Sequence, residues 1–269
     1  MSSKNKRPQH VLHVVSSERV SPHIMRVRFG GPAVAAMGRP DATDSYLKLL
    51  FTDPAHRLTP PYDIDALPVE QRPVRRTYTI RSWNADATIS MDFVTHGDQG
   101  IAAPWAMQAQ PGDLLAATGP GSGYRPSGAA NWYLLVGDDS ALPAISAALE
   151  ALPENARGHV VVEVDSPADE LLLTSPAGMH QQWLYRRGAP AGETSLLPDA
   201  VRALDWPEQG AEVFAHGERG SMKELRRIFR DLDVPKESLS LSGYWAFGRN
   251  EDRFQAEKRE PIGQLEPQD

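Results

Sequence analysis

One change of sequence pattern, at the glycine- and proline-rich segment Gly119–Gly128, constrains the fold more than any other feature. Before this segment, short runs rich in β-branched and aromatic residues alternate with clusters of Gly, Pro, Asn and Asp, which is typical of strands in an antiparallel barrel or sandwich. After it, strand-like runs alternate with helical stretches, which indicates a parallel sheet with helical crossovers. We therefore predict an antiparallel β barrel over residues 1–125 and a parallel α/β domain, ending in a charged tail, over residues 126–269.

The same patterns locate the individual elements. The predicted strands of the first half are Val11–Val15, Ile24–Phe29, Tyr46–Phe51, Thr77–Ser82, Ile89–Thr95 and Asp113–Thr118. Those of the second half are Asn131–Val136, His159–Val164, Gln181–Tyr185 and Glu212–His216. The predicted helices are Ala141–Ala151, Thr194–Leu204, Ser221–Leu232 and Arg253–Arg259. Ser221 and Glu224 have the spacing of a capping box, which predicts that a helix begins near Ser221.

Composition excludes several classes of function. The 28 basic and 35 acidic residues give a net charge of −7, which argues against a nucleic-acid partner. Because the chain has no cysteine, any redox chemistry needs a bound organic cofactor or an external metal. The eight histidines show no metal-ligand spacing, so we predict no protein-bound metal. No apolar run approaches the roughly 18 residues of a membrane helix, and we expect a cytoplasmic protein with no membrane insertion.

The segment from Arg76 to Arg81 has the chemistry of a cofactor site. The guanidinium of Arg76 suits phosphate oxygens, the ring of Tyr78 offers stacking area, and Thr79 adds a small hydroxyl. Taken alone, the segment is explained equally well as a β-strand with alternating polar residues.

A second segment of the first half has the pattern of an anion site. A strand ends in His96 and Gly97, a glycine-rich turn follows, and the small residues Ala102 and Ala103 open a helix. Such a turn presents free backbone N–H groups to an anion. Trp105 then packs either against a cofactor or into the barrel.

The first strand of the second half ends in a polar turn. Gly137 and Asp138 lead through Ser140 and Ala141 into a helix, and Ser140 is a predicted N-cap. The amides of such a turn can hold a phosphate or a ribose. The turn is not a GxGxxG fingerprint, and a plain helix start explains it equally well.

The last segment places aromatic residues at a strand end. Glu218 closes one predicted strand, and Tyr244 and Trp245 close the next. In a parallel sheet, ligands bind at the carboxyl ends of the strands. A core aromatic pair is the alternative interpretation.

These four segments, in this order along nearly the whole chain, resemble siderophore-interacting proteins, the FAD-dependent NAD(P)H ferric-siderophore reductases of the ferredoxin-reductase-like superfamily. The resemblance implies that the barrel binds FAD through Arg76, Tyr78, Thr79, Arg81, His96, Gly97, Ala102, Ala103 and Trp105. It implies that the α/β domain binds NADPH or NADH through Gly137, Asp138, Ser140, Ala141, Glu218, Tyr244 and Trp245.

The resemblance also implies the reaction. Electrons pass from NAD(P)H through FAD to a ferric siderophore, which releases Fe(II) for iron assimilation. Only Thr79 and Trp245, in the flavin environment, are candidates for a catalytic role, and the substrate is expected at Lys48, Arg125 and Arg249. Relatives usually carry Ala at the position of His216 and often Arg at that of Ala246. We expect a monomer.

Several alternatives stay open. The chain is otherwise a flavin reductase or a reductase that serves an oxygenase, a non-catalytic siderophore-binding protein, or a nucleotide-binding scaffold. Arg186 and Arg187 are suited to the 2′-phosphate of NADPH, whereas Glu163 and Asp165 are suited to the bare 2′-hydroxyl of NADH. Of the two donors, we expect NADPH.

Overall fold

The strands of the first half close into a barrel. The structure is a computed structural model that describes residues 8–95 and 100–265. The barrel strands are β1 (Gln9–Ser21), β2 (Ile24–Gly30), β3 (Tyr46–Phe51), β4 (Val74–Trp83), β5 (Ile89–Val94) and β6 (Leu114–Gly121), with short helices α1 (Pro32–Ala35) and α2 (Ala102–Gln108). All neighbours are antiparallel, in the closed order β1-β2-β5-β4-β3-β6. The predicted antiparallel barrel is confirmed.

Period-two alternation builds the core of the barrel. On β3, Leu47 and Leu49 are completely buried, whereas Lys48 between them is half-buried. Successive side chains of a strand point to opposite faces, so the leucines join an interior that also contains Phe29 and Phe93. Closure pairs the first strand with the last, and neither strand has a free edge there.

The second half forms a parallel sheet. Its strands are β7 (Trp132–Asp138), β8 (Arg157–Val164), β9 (Gly178–Tyr185), β10 (Ala211–Glu218) and β11 (Leu239–Trp245). Its helices are α3 (Leu142–Ala151), α4 (Leu196–Arg202), α5 (Arg219–Asp231) and α6 (Glu251–Glu257). The sheet order is β11-β10-β7-β8-β9, and every neighbouring pair is parallel. This confirms the predicted α/β domain.

The strand order determines where a ligand can bind. The chain proceeds from β7 outward to β9 and then returns to the other side of β7 to add β10 and β11. The direction of strand addition therefore reverses between β7 and β10. Open parallel sheets bind ligands outside the carboxyl ends of the strands at such a reversal. In this domain those ends carry Asp138 and Glu218.

The chain divides into two units between Gly123 and Tyr124. Strand β6 extends through Gly121, so the beginning of the Gly119–Gly128 segment belongs to the barrel. Among the described residues, no helix has both the length and the apolar character needed to cross a bilayer.

Three predicted helix starts are displaced by two residues, and α4 begins at Leu196 rather than at Thr194. Helix α5 begins at Arg219, and its N-cap is Glu218, whose carboxylate accepts a hydrogen bond from the Ser221 N–H at 2.9 Å. The capping box predicted from Ser221 and Glu224 therefore does not form. The tail helix begins at Glu251, because Asn250 caps it.

Candidate functional site

Strand β4 carries the predicted FAD motif. Its alternation places Arg76 and Tyr78 on one face and Thr79 and Arg81 on the other. The Tyr78 ring packs against the buried ring of Phe93, with centroids 4.4 Å apart. Tyr78 is half-buried, so the barrel fixes one side of its ring.

The charge of this strand fits a pyrophosphate. Residues 71–85 contain four arginines and no carboxylate. The Nη1 atom of Arg76 donates to the Arg75 carbonyl at 2.8 Å, which fixes the guanidinium along the strand. Because guanidinium forks bind phosphate oxygens and a tyrosine ring stacks on planar groups, these residues fit FAD.

The structure places the second predicted FAD segment only in part. His96 and Gly97 lie outside the described residues. Ala102 and Ala103 are buried at the start of α2. Trp105 contacts three core phenylalanines, stacking on Phe29 at 6.1 Å and approaching Phe51 and Phe93 at 5.7 and 5.9 Å. Trp105 is thus partly buried and packs against the barrel core, and the FAD contacts of this segment stay predictions.

The three predicted substrate residues have different surroundings. Lys48 lies on β3, paired with Thr77 of β4, and Arg125 is exposed next to the division of the chain. Arg249 is held in an ion pair, with its Nε 2.7 Å from the Glu257 carboxylate. The structure therefore gives Arg249 a structural role, and its contact with a substrate stays a prediction.

Asp138, the last residue of β7, joins three strand ends. Its Oδ1 accepts hydrogen bonds from the N–H and the hydroxyl of Ser140. Its Oδ2 accepts from the Glu218 N–H at 2.8 Å and from the Trp245 indole at 2.9 Å. The prediction that Ser140 is the N-cap of α3 is therefore wrong. Helix α3 begins after Ala141, and the side chain of Asp138 organises the turn.

Burial makes the ionised form of Asp138 costly. The side chain is almost completely buried, and this desolvation raises its pKa. The neighbouring carboxylate of Asp139 raises the pKa further, whereas the hydrogen bonds from Ser140, Trp245 and Glu218 oppose both effects. Gly137, before Asp138, is buried in β7 and pairs with His216 of β10.

Glu218 connects the end of β10 to the chain after β11. One carboxylate oxygen caps α5 through Ser221, and the other accepts from the Phe247 N–H at 3.0 Å. Tyr244 and Trp245 are the last residues of β11, as predicted. The ends of β7, β10 and β11 are thus held together by two buried carboxylates.

His216, in β10, is a buried imidazole. Its Nδ1 lies 2.9 Å from the Tyr244 hydroxyl and its Nε2 lies 3.0 Å from the Ser240 hydroxyl. The ring also packs on Phe214, with centroids 3.8 Å apart. Burial lowers the pKa of His216 to about 3.

This burial predicts a loss of stability in acid. The unfolded chain takes up a proton at His216 below about pH 6.5, whereas the folded chain does not do so until near pH 3. We expect the free energy of unfolding to fall between these values, by up to about 1.4 kcal/mol per pH unit from this residue. Urea unfolding of the wild type and of His216→Gln from pH 7.5 to 4.5 measures the difference. Equal pH slopes would contradict this assignment.

A second buried cluster lies at the ends of β7, β8 and β9. Arg186 follows β9, and its Nη2 lies 2.9 Å from the Asp139 carboxylate. Its Nη1 lies 3.7 Å from Glu163, which accepts a hydrogen bond from the Thr194 hydroxyl at 2.7 Å. Burial raises the pKa of Glu163, and the contacts with Thr194 and Arg186 oppose this. The sequence marked Arg186 and Glu163 as separate nucleotide contacts, and their pairing across 23 residues gave no local signal.

Comparison with known proteins agrees with this organisation. A family model for the siderophore-interacting FAD-binding domain matches residues 13–124, and a second model, for siderophore-interacting protein, matches residues 130–248. An uncharacterized protein of Mycobacterium tuberculosis is 42% identical over 94% of this chain and 96% of its own length. Ferric vibriobactin reductase ViuB of Vibrio cholerae is 34% identical, covering 92% and 93%.

A solved structure gives the same result. The crystal structure of the siderophore-interacting protein SipS from Aeromonas hydrophila matches with a TM-score of 0.80 and 32% sequence identity, covering 96% of this chain and 99% of that one. The resemblance seen in the four sequence segments is confirmed along nearly the whole chain. This chain belongs to the siderophore-interacting protein family, and its first half is the FAD-binding domain of that family.

Proposed function

We propose that the protein is an FAD-dependent oxidoreductase that takes electrons from NAD(P)H and delivers them to ferric siderophores, releasing Fe(II). The observation that carries this proposal is the match to the siderophore-interacting FAD-binding domain over residues 13–124, where β4 presents its arginines and Tyr78. The printed name of one relative, ferric vibriobactin reductase, supports the same substrate class.

In this proposal, residues of β4 hold the cofactor. Arg76 neutralises the pyrophosphate of FAD, Tyr78 packs on the planar part of the cofactor, and Thr79 offers its hydroxyl. When bound, FAD supplies a two-electron to one-electron adaptor, because it accepts electrons in pairs and can release them singly. The buried position of Phe93 behind Tyr78 keeps the ring in a fixed orientation.

The α/β domain receives the nicotinamide nucleotide at the carboxyl ends of β7, β10 and β11. Asp138 orients the Trp245 indole, and Glu218 fixes the turn into α5. Lys48 on the first unit and Arg125 on the second are separate candidate contacts, and the positive charge of each favours anionic siderophores. Siderophores bind Fe(III) through hard oxygen ligands, and reduction weakens those bonds, so this chain need not coordinate iron.

An anaerobic experiment tests the proposal. The purified protein is reduced with NADH or NADPH, and the flavin band near about 450 nm is followed in a stopped-flow instrument. Ferric siderophores of hydroxamate and catecholate type are then added with an Fe(II)-specific chelator. We expect the flavin band to disappear, then to return as Fe(II) forms. A reduced flavin that no ferric siderophore reoxidises would contradict the siderophore assignment, and a protein without flavin absorption would contradict the oxidoreductase assignment.

A pair of arginine variants tests the placement of FAD. Arg76→Ala removes the proposed pyrophosphate contact, and we expect FAD affinity to fall about 10- to 100-fold, as for a charged hydrogen bond worth about 1.5–3 kcal/mol. Arg75→Ala is the matched control, because Arg75 is exposed on the opposite face of β4. Equal FAD affinities of the two variants, measured by fluorescence titration, would rule out the role of Arg76.

A further inference from the structure

Carboxylates dominate the ends of β7 and β8. Asp138 ends β7 and Asp139 follows it, and Glu163 and Asp165 flank the last residue of β8. In the cluster formed by Asp139, Glu163 and Arg186, two carboxylates face one guanidinium. Asp165 is half-buried next to this cluster, and its Oδ1 accepts from the Gly188 N–H at 3.1 Å.

Arg186 cannot serve a phosphate as the sequence suggested. Its side chain is 4% exposed and already lies against Asp139 and Glu163. A rotation toward a 2′-phosphate would leave two buried carboxylates without a counter-charge, which is strongly unfavourable. The two ion pairs therefore argue against a role of Arg186 in binding the 2′-phosphate of NADPH.

A buried donor without a hydrogen bond indicates which ligand group fits at the carboxyl ends of β7 and β8. The Nη1 atom of Arg186 is buried and makes no hydrogen bond within the described residues, because Glu163 is too far away at 3.7 Å. A neutral hydroxyl can accept from a guanidinium and donate to a carboxylate, whereas a phosphate dianion only accepts. The surplus of carboxylates therefore favours a hydroxyl over a phosphate at this edge.

We propose that Asp165, supported by the buried carboxylates of Asp139 and Glu163, selects a nucleotide with a free 2′-hydroxyl, so that the donor is NADH rather than NADPH. This inference rests on the proposed function, because it specifies the electron donor of that reaction. Arg187 is the competing group, since it is exposed beside Asp165.

Binding of oxidised nucleotides tests this selectivity without turnover. The FAD-loaded full chain is titrated with NAD+ and NADP+ by calorimetry, at low and at high salt. We expect NAD+ to bind at least about tenfold more tightly at low salt, and this ratio to shrink at high salt because screening weakens the repulsion. Binding of NADP+ as tight as that of NAD+ would overturn the inference.

Two charge-neutralising variants locate the selecting group. Asp165→Asn is expected to improve NADP+ binding by about threefold or more and to leave FAD content unchanged. Glu208→Gln is the matched control, because Glu208 is exposed just before β10, at the amino ends of the parallel strands and away from their carboxyl ends. An unchanged ratio of the NAD+ and NADP+ affinities in Asp165→Asn would refute the assignment. It would also be refuted if the wild type bound NADP+ tightly and Arg187→Ala lost that binding.

The outcomes also separate this inference from the proposed function. A protein that reduces ferric siderophores equally well with NADPH and NADH keeps the function and overturns the selectivity. A protein that binds NAD+ in preference to NADP+ but reduces no ferric siderophore keeps the selectivity and overturns the function.

Discussion

Gly158→Ala should lower the free energy of unfolding by about 3–5 kcal/mol, a large part of the roughly 5–15 kcal/mol that stabilises a typical domain. Gly158 lies in β8 with φ of +141°, where side chains are rarely tolerated. A Cβ atom here would lie 1.9 Å from the carbonyl oxygen of Tyr133, its partner on β7. Because the obstacle is backbone, the two strands would have to separate.

A second glycine distinguishes the two sources of this cost. Gly188 also has a positive φ, +84°, but nothing lies within 4 Å of an added Cβ. We therefore expect Gly188→Ala to cost only the backbone strain, about 1 kcal/mol. Urea unfolding of both variants measures the difference, and similar losses of stability would show that strain, rather than the contact with Tyr133, limits position 158.

Asp138→Asn should disrupt the joint between β7, β10 and β11. An asparagine amide has one acceptor oxygen, so its NH2 group must face two of the four donors that now bind the carboxylate. We expect a loss of about 2–4 kcal/mol and faster hydrogen exchange of the Trp245 indole N–H. Nitrogen-15 labelling of tryptophan, with Trp245→Phe to assign the signal, measures that exchange.

The control and the pH dependence sharpen this prediction. Ser140→Ala removes one donor but leaves the bond from Trp245, so exchange of the indole should not change. In the folded protein the pKa of Asp138 is raised from its ordinary value near 3.8 to about 7. The stability that this group contributes therefore falls as the pH rises from the first value to the second. The advantage of the wild type over Asp138→Asn should therefore be larger at pH 5 than at pH 8. Unchanged indole exchange in Asp138→Asn would contradict the proposed positioning role.

Local pattern predicted most elements, whereas contacts distant in sequence decided the exceptions. The predicted bounds of β3, Tyr46–Phe51, agree with the structure because this short run of mainly apolar residues is flanked by polar residues on both sides. The predicted start of α5 was wrong because the N-cap is Glu218. The Glu218 carboxylate is held by the Phe247 N–H, which lies 29 residues away in the sequence. The pairing of Arg186 with Asp139 joins residues 47 apart, and no window of sequence contains both.

The candidate site shows the same limit. The family resemblance placed Tyr244 and Trp245 at a strand end, and β11 does end at Trp245. It did not reveal that the indole of Trp245 binds Asp138, since that contact depends on the order of β7, β10 and β11 in the sheet. Strand order in a parallel sheet follows from the packing of the whole domain.

The start of the second unit has a practical consequence for dissecting the protein. Glu212 of β10 is buried, and its carboxylate accepts hydrogen bonds from the Tyr124 hydroxyl and from Ser127. The Tyr124 ring also packs on Phe214, with centroids 4.9 Å apart. A recombinant fragment cut just after residue 125 would lose this tyrosine and leave the glutamate short of a partner, so separate expression of the C-terminal half should retain Tyr124 and a few residues before it.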